Sequence, residues 1–228
     1  MIFRQLFDKI SSTYTYLIAD RIDGEALIID PVLENVNHYL KLLGELDLKL
    51  VKVIDTHIHA DHISGINDLK NKTNCITIMG DKTDLDIVSL KVSNNEIINI
   101  DNLKIKAMYT PGHTSESFSF LMGDRIFTGD ALLIRGTGRT DFQNGSASDS
   151  YESIFNYILK LPEETFVYPA HDYNGNTVST IKEEKKFNPR LQVKSKQEYI
   201  DIMNNLNLPD PKMMDVALLA NTGTLKDN

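Results

Sequence analysis

Three of the six histidines in this chain of 228 residues, His57, His59 and His62, fall within six positions, with Asp61 among them. So dense a mixture of imidazole and carboxylate points to a bound metal ion. The donor types suit zinc, iron or manganese better than a soft metal. More groups of the same kinds follow: His113 in Thr110-Pro-Gly-His-Thr114, Asp130 in Phe127-Thr-Gly-Asp130 and His171 in Tyr168-Pro-Ala-His-Asp172. Singly, each reads as a loop residue that bonds a turn; together they describe a metal site. His57 and His59 stand two apart, so in an extended backbone they would share a face.

The elements that must position these groups are legible from hydrophobic spacing. Strands are predicted at Ile2 to Phe7, Thr13 to Ile18, Ala26 to Ile29, Leu50 to Ile54, Ile76 to Met79, Glu96 to Ile100, Leu103 to Tyr109, Ser117 to Met122, Arg125 to Thr128 and Thr165 to Tyr168. Helices are predicted over Leu33 to Leu46, Ile63 to Lys70, Asp149 to Leu161, Val178 to Lys186 and Lys196 to Leu206. Gly123-Asp124 reads as a hairpin turn. Four predicted strands end just before a His or Asp cluster, where the sheet holds the side chains and the loop lets them converge. Hairpins with interspersed helices make a layered α/β protein whose strands are largely antiparallel.

Composition removes several classes. Lys plus Arg total 24 and Asp plus Glu total 32, a net charge of −8, so no nucleic-acid partner is expected. The one cysteine, Cys75, excludes an internal disulfide framework and a cysteine-based metal site. Its apolar neighbours make it a buried structural thiol. His38, off the apolar stripe of its helix, is expected to be solvated. The N-terminus lacks the pattern of a signal peptide, and apolar runs such as Val216 to Ala220 are far too short to span a bilayer. A cytoplasmic protein with no membrane partner is the expectation.

The order HxHxDH, then His, Asp and His, resembles the metallo-β-lactamase superfamily, and the match spans most of the chain. The resemblance implies an α/β fold, the αββα sandwich of two mixed β-sheets flanked by helices. It also implies one domain over 1–228, with a short helical C-terminal segment of about 176–228 packed on it. All seven ligand-type positions of the superfamily are filled, so counting them does not exclude a binuclear hydrolase. The stretch from Phe127 to Gln143 (FTGDALLIRGTGRTDFQ) is more specific, as are Tyr168-Pro-Ala-His-Asp-Tyr173, Asn188-Pro-Arg-Leu191 and Asn205-Leu-Asn-Leu-Pro209. These segments resemble the persulfide dioxygenases, a branch related to the glyoxalase II hydrolases. Those hydrolases usually carry a longer helical C-terminal domain and a different loop after Asp130.

That resemblance implies one Fe(II) per chain, held by His57, His113 and Asp130 as a facial triad. His59, Asp61, His62 and His171 then orient ligands and shape the pocket, with Asp61 or His59 mattering most; the alternative is that they bind a second metal. The implied substrates are glutathione persulfide and O2. Arg139, Tyr173 and Arg190 are the implied substrate-binding residues, Arg139 near the iron pocket and Tyr173 and Arg190 as candidate glutathione contacts. Arg135 or Arg139 could instead pair with Asp141 to pin the loop. The rival reading is a binuclear zinc thioester hydrolase acting on acyl-glutathione. The sequence does not report oligomeric state. Family habit favours a homodimer, and a sulfurtransferase of the rhodanese kind is a candidate supplier of persulfide.

Overall fold

The computed structural model describes residues 1–211 and 213–223, so Lys212 and residues 224–228 of the expected C-terminal segment lie outside it. Among the described residues, twelve strands form two six-stranded sheets. The first contains β1 (Ile2–Asp8), β2 (Thr13–Ala19), β3 (Glu25–Ile29), β4 (Lys49–Ile54), β5 (Ile76–Gly80) and β6 (Leu90–Val92), in that order. The second contains β7 (Ile97–Ile100), β8 (Leu103–Tyr109), β9 (Phe118–Met122), β10 (Arg125–Gly129), β11 (Phe166–Pro169) and β12 (Ser179–Thr180), likewise in sequence order. Both sheets are mixed. β3 to β6 run parallel and so does the β10–β11 pair; the remaining pairings are antiparallel.

The inner faces meet in one core. Tyr16, Ile18, Leu27, Ile29 and Ile54 from the first sheet pack against Ile105, Phe118, Phe120 and Phe127 from the second. A Cβ on Gly80 would lie 2.0 Å from the Phe118 ring, so glycine is needed where the sheets come closest. Strands covered on both faces read as continuous apolar runs. Thus Leu27 and Ile29 face the other sheet, while Ala26 and Ile28 face the helices α1 (Val36–Glu45) and α2 (Ile66–Thr73). Val36, Tyr39 and Leu43 form the buried stripe of α1, and His38 is exposed on it as expected. Cys75 is buried and free.

The second sheet's outer face is covered by α3 (Ala147–Tyr151) with the helical turns that continue it to Lys160, by α4 (Ile181–Phe187) and by α5 (Lys196–Asn204), through Ile154, Ile158, Ile181, Tyr199 and Met203. The expected αββα order of layers results. A further helix, α6 (Met214–Asn221), buries Ala217.

Local structure departs from expectation at the ends of elements. Asp149 to Leu161 is not one regular helix: α3 widens into a π-helical turn at Glu152–Tyr157 and tightens into a 3-10 turn at Ile158–Lys160. Across the junction, Tyr151 and Phe155 stack with centroids 4.3 Å apart. The helix expected from Val178 begins at Ile181, because Ser179 and Thr180 pair with Phe166 and Val167, and the Thr180 side chain caps Glu183 N. The helix expected from Ile63 begins at Ile66, after Ser64 Oγ accepts from Ile66 N and donates to Asp55. The short edge strand β6 was not anticipated; α6 falls inside the helical C-terminal segment expected over about 176–228, but its own bounds were not placed.

Candidate metal centre

Four strand ends open onto one edge of the sandwich. The loop after β4 carries His57 to His62, the loop after β8 carries His113, β10 ends just before Asp130, and β11 just before His171. The parallel β10–β11 register places Gly129 beside Pro169, which brings Asp130 and His171 together. A bridge between Thr13 and His171 joins the start of β2 to the same edge.

The seven ligand-type residues divide into two groups. His57, His113 and Asp130 offer one donor atom each within 4.8 Å of one another, and so do His59, Asp61, His62 and His171. The HxH spacing therefore misleads: the His57 and His59 rings lie 4.2 Å apart but serve different groups. The backbone there is not an extended strand, because β4 ends at Ile54. Asp30, at the end of β3, fixes the turn, its Oδ1 accepting from Thr56 N at 2.7 Å and facing His59 Nε2 at 3.2 Å.

The partners of the first group decide its tautomers. His113 Nδ1 lies 2.8 Å from the carbonyl oxygen of Arg139, which can only accept. Nδ1 therefore carries a proton, and Nε2, the nitrogen left for a metal in the neutral tautomer, lies 3.6 Å from Asp130 Oδ2. Thr56 Oγ1 donates to the Asp30 carboxylate at 3.0 Å, so it accepts from His57 Nδ1 at 2.9 Å. That leaves His57 Nε2 without a proton. Burial, then His59 and His113, push the His57 pKa well below its ordinary value and keep the ring neutral. Two bare imidazole nitrogens and a carboxylate, each backed by a partner on its other polar atom, fit a divalent cation.

The second group is knotted by its own carboxylates. His171 Nδ1 donates to Asp130 Oδ1 at 2.7 Å and Nε2 to Asp61 Oδ2 at 2.8 Å. Burial opposes a charge on this ring, but the two carboxylates outweigh it and push the pKa well above the ordinary value. Asp61 Oδ2 also faces His62 Nδ1 at 3.0 Å. Thr13 Oγ1, fully buried, reaches His171 Nε2 at 3.1 Å. His59 Nδ1 and His62 Nε2 are buried with no hydrogen-bond partner.

A cavity of about 550 Å³ opens beside both groups, its walls including His113, Asp130, Arg139, His171, Tyr173 and Arg190. Tyr173 lies parallel to the His171 ring at 6.2 Å. Arg139 holds Asp141 through two bonds of 2.7 and 2.8 Å and donates to Pro209 O, so its charge is matched. Arg135 does not pair with Asp141. It binds Glu183 and the buried Glu184 instead, because its backbone turns outward with φ +59 toward α4. Arg190 donates to Thr137 O and Oγ1, and among the described residues it makes no ion pair with a carboxylate. It is the cationic side chain of the cavity wall whose charge is left unmatched.

Asp30, Thr56 and Thr13 were not picked out from the sequence. Asp30 had a signal, since it follows the apolar run of β3 as the ligand-type groups follow theirs, but Asp-Pro reads first as a turn.

The metallo-β-lactamase superfamily model matches residues 9–88 and 96–171. The mouse protein "Persulfide dioxygenase ETHE1, mitochondrial" is 43% identical over 224 residues, covering 97% of this chain and 87% of the relative. The crystal structure of ETHE1 from Myxococcus xanthus superposes with a TM-score of 0.95 at 50% identity, covering 98% and 99% of the two chains. A hydroxyacylglutathione hydrolase of Dictyostelium discoideum is 35% identical over 170 residues, which is 70% of this chain and 62% of that protein.

Proposed function

This chain belongs to the metallo-β-lactamase superfamily and, within it, to the persulfide dioxygenases, and on that premise we propose that it oxidises glutathione persulfide with O2 and water to sulfite and glutathione, in sulfide catabolism. The outer sulfur is oxidised and O2 reduced, the S–S bond breaks, and the inner sulfur leaves as the thiol. The observation that carries this reading is the separate group of His57, His113 and Asp130. Two imidazoles and one carboxylate with open positions suit Fe(II). One Fe(II) held by these three residues supplies the electron exchange with O2 that zinc, lacking redox chemistry, does not.

The chain's own residues do the rest. Asp30 through Thr56, and the Arg139 carbonyl, keep the protons of His57 and His113 on Nδ1 and turn Nε2 toward the metal position. His171 holds the outer oxygen of Asp130 and leaves Oδ2 for the metal. Arg190 presents its unmatched charge to a carboxylate of the glutathione moiety, with Tyr173 and Arg139 also lining the cavity. Net charge describes the average surface, so a chain of net −8 can still hold a small anion at one placed cation.

One observation favours a second reading. The orphaned, buried nitrogens of His59 and His62 suit a second metal ion, as in a binuclear zinc hydrolase of glyoxalase II type acting on acyl-glutathione. Metal counting on purified protein separates the two, combined with O2 uptake on glutathione persulfide and cleavage of S-lactoylglutathione. One iron per chain with O2 uptake supports the dioxygenase; two zinc ions with thioester cleavage and no O2 uptake would overturn it. Among the described residues no helix is long and apolar enough to cross a membrane. The proposed setting is the cytoplasm, with a homodimer and a rhodanese-type supplier of persulfide carried by the family reading.

A further inference from the structure

The loop that carries His57, Asp61 and their neighbours is held mostly by groups distant in sequence. Glu116 accepts from Ile58 N, and Gln143 donates to Ile58 O. The peptide groups around Asp61 are met from the other end of the chain. In α6, Asn221 Oδ1 accepts from Ser64 N at 2.9 Å, while Nδ2 donates to His59 O at 2.8 Å and His62 O at 2.9 Å. One carboxamide thus meets three backbone groups on both sides of Asp61. The partners also fix its orientation: an amide N–H requires the oxygen, and two carbonyls require the NH2.

We infer that Asn221 is a positioning residue for the metal centre, holding the turn that carries Asp61 and acting through Asp61 and His171 on Asp130. The path is continuous. Nδ2 ties the His59 and His62 carbonyls and so closes the turn between them. Asp61 in that turn accepts from His171 Nε2 at 2.8 Å, and His171 donates from Nδ1 to Asp130 Oδ1 at 2.7 Å. A loosened turn would let Asp61 move, free His171, and leave Asp130 able to rotate away from His113. The chain leading to the helix is tied to the cavity wall at Pro209, whose carbonyl accepts from Arg139 Nη1. Partners beyond the ligands typically tune metal affinity by about 10–100-fold.

This inference rests on the assignment of a metal to His57, His113 and Asp130, but its test needs no persulfide. Wild type, Asn221→Ala and Asn221→Asp are loaded with Fe(II) and, separately, Co(II). Metal release to a chelator and the visible spectrum of the Co(II) form are then recorded. Asn221→Asp keeps the side-chain volume and the bond from Ser64 but turns an acceptor toward two carbonyls, so it covers the case in which the alanine variant fails to fold. Both variants are expected to release metal about tenfold faster or more, with an altered Co(II) spectrum. Loss of a helix contact alone would lower the melting temperature without changing the ligand field. Release rates and spectra like wild type in both variants would overturn the inference, whatever happens to stability. So would a wild-type result in Asn221→Asp alone, since only the Nδ2 donor is lost there. Faster release without O2 uptake in wild type would retain this inference and remove the dioxygenase reading.

Discussion

His113 Nδ1 donates to the carbonyl oxygen of Arg139 at 2.8 Å, so the loop that follows Asp130 returns to orient a histidine delivered by β8. The loop comes this close because Gly138 has no side chain. A Cβ there would lie 2.2 Å from Asp130 O and 2.9 Å from the His113 ring. Gly138→Ala must push one of them away, and overpacking of this kind costs about 1–3 kcal/mol. Metal content after purification should fall along with the melting temperature. Full metal occupancy at an unchanged melting temperature would show that the loop has slack.

His171 has both nitrogens committed to carboxylates, whereas His113 and Asp130 each keep a donor atom for the metal. The variants should therefore differ in degree. His113→Ala and Asp130→Ala should lose metal altogether. His171→Ala should weaken retention by about 10–100-fold, the usual effect of losing a partner of a ligand. Equilibrium dialysis against a graded metal buffer measures all three. Equal loss in all three would make His171 a ligand and return the site to a wider donor set.

The arginines of the cavity wall separate by what faces them. Arg190 meets backbone and hydroxyl oxygens of Thr137, while Arg135 meets the buried Glu184. Arg190→Ala should raise KM for glutathione persulfide about tenfold or more, as a lost charge-assisted bond is worth about 1.5–3 kcal/mol, with metal content unchanged. Arg135→Ala should act on stability instead, because it removes the countercharge of the buried Glu184. The bonds to Glu184 from Ser179, Asn188 and the backbone N of residue 135 remain, so the loss should fall below the roughly 3–5 kcal/mol of a fully uncompensated buried charge. Steady-state kinetics beside urea denaturation checks the pair. A KM effect confined to Arg135→Ala would reverse the assignment.

Much of the site could be read before its geometry was known, because each ligand-type group stands just past an apolar run and a strand end is the firmest local signal in a sequence. The partition of the seven groups could not. HxH spacing implies a shared face only while the backbone stays extended, and Asp30, reaching Thr56 and His59 across 26 and 29 residues, ends that. Asn221 was invisible for a related reason. Its three bonds go to backbone groups about 160 residues away, and a side-chain-to-backbone bond over that distance leaves no periodic trace. Helix α6 was expected only as part of a helical C-terminal segment, and its bounds stayed hidden because a short apolar run without polar alternation does not distinguish helix from strand.

Asp8 offers a pH-dependent test of how one part of the cavity wall is built. Its Oδ2 accepts from Ile10 N, Ser11 N and Ser11 Oγ, and Oδ1 from Asn35 Nδ2. That turn places Ile10, Ser11 and Ser12 on the cavity wall, and Ser11 Oγ lies 2.7 Å from Thr13 Oγ1, which touches His171. Partial burial raises the Asp8 pKa, but the hydrogen bonds from Ser11, Asn35 and Ile10 outweigh it and hold it below the usual carboxylate value. A carboxylate with a depressed folded pKa contributes stability above its unfolded pKa, near 4, and loses it as pH falls through the folded value. Because the group is only partly buried and stays within reach of solvent, the charge itself is worth no more than about 1 kcal/mol. Asp8→Ala should therefore lower the urea midpoint at pH 7, with a gap to wild type that narrows through the acid range. It should also raise KM severalfold with little change in kcat, since the turn shapes the wall but touches no donor of the first metal group. A gap that stays constant into acid would mean that the ionised carboxylate is not what holds the turn.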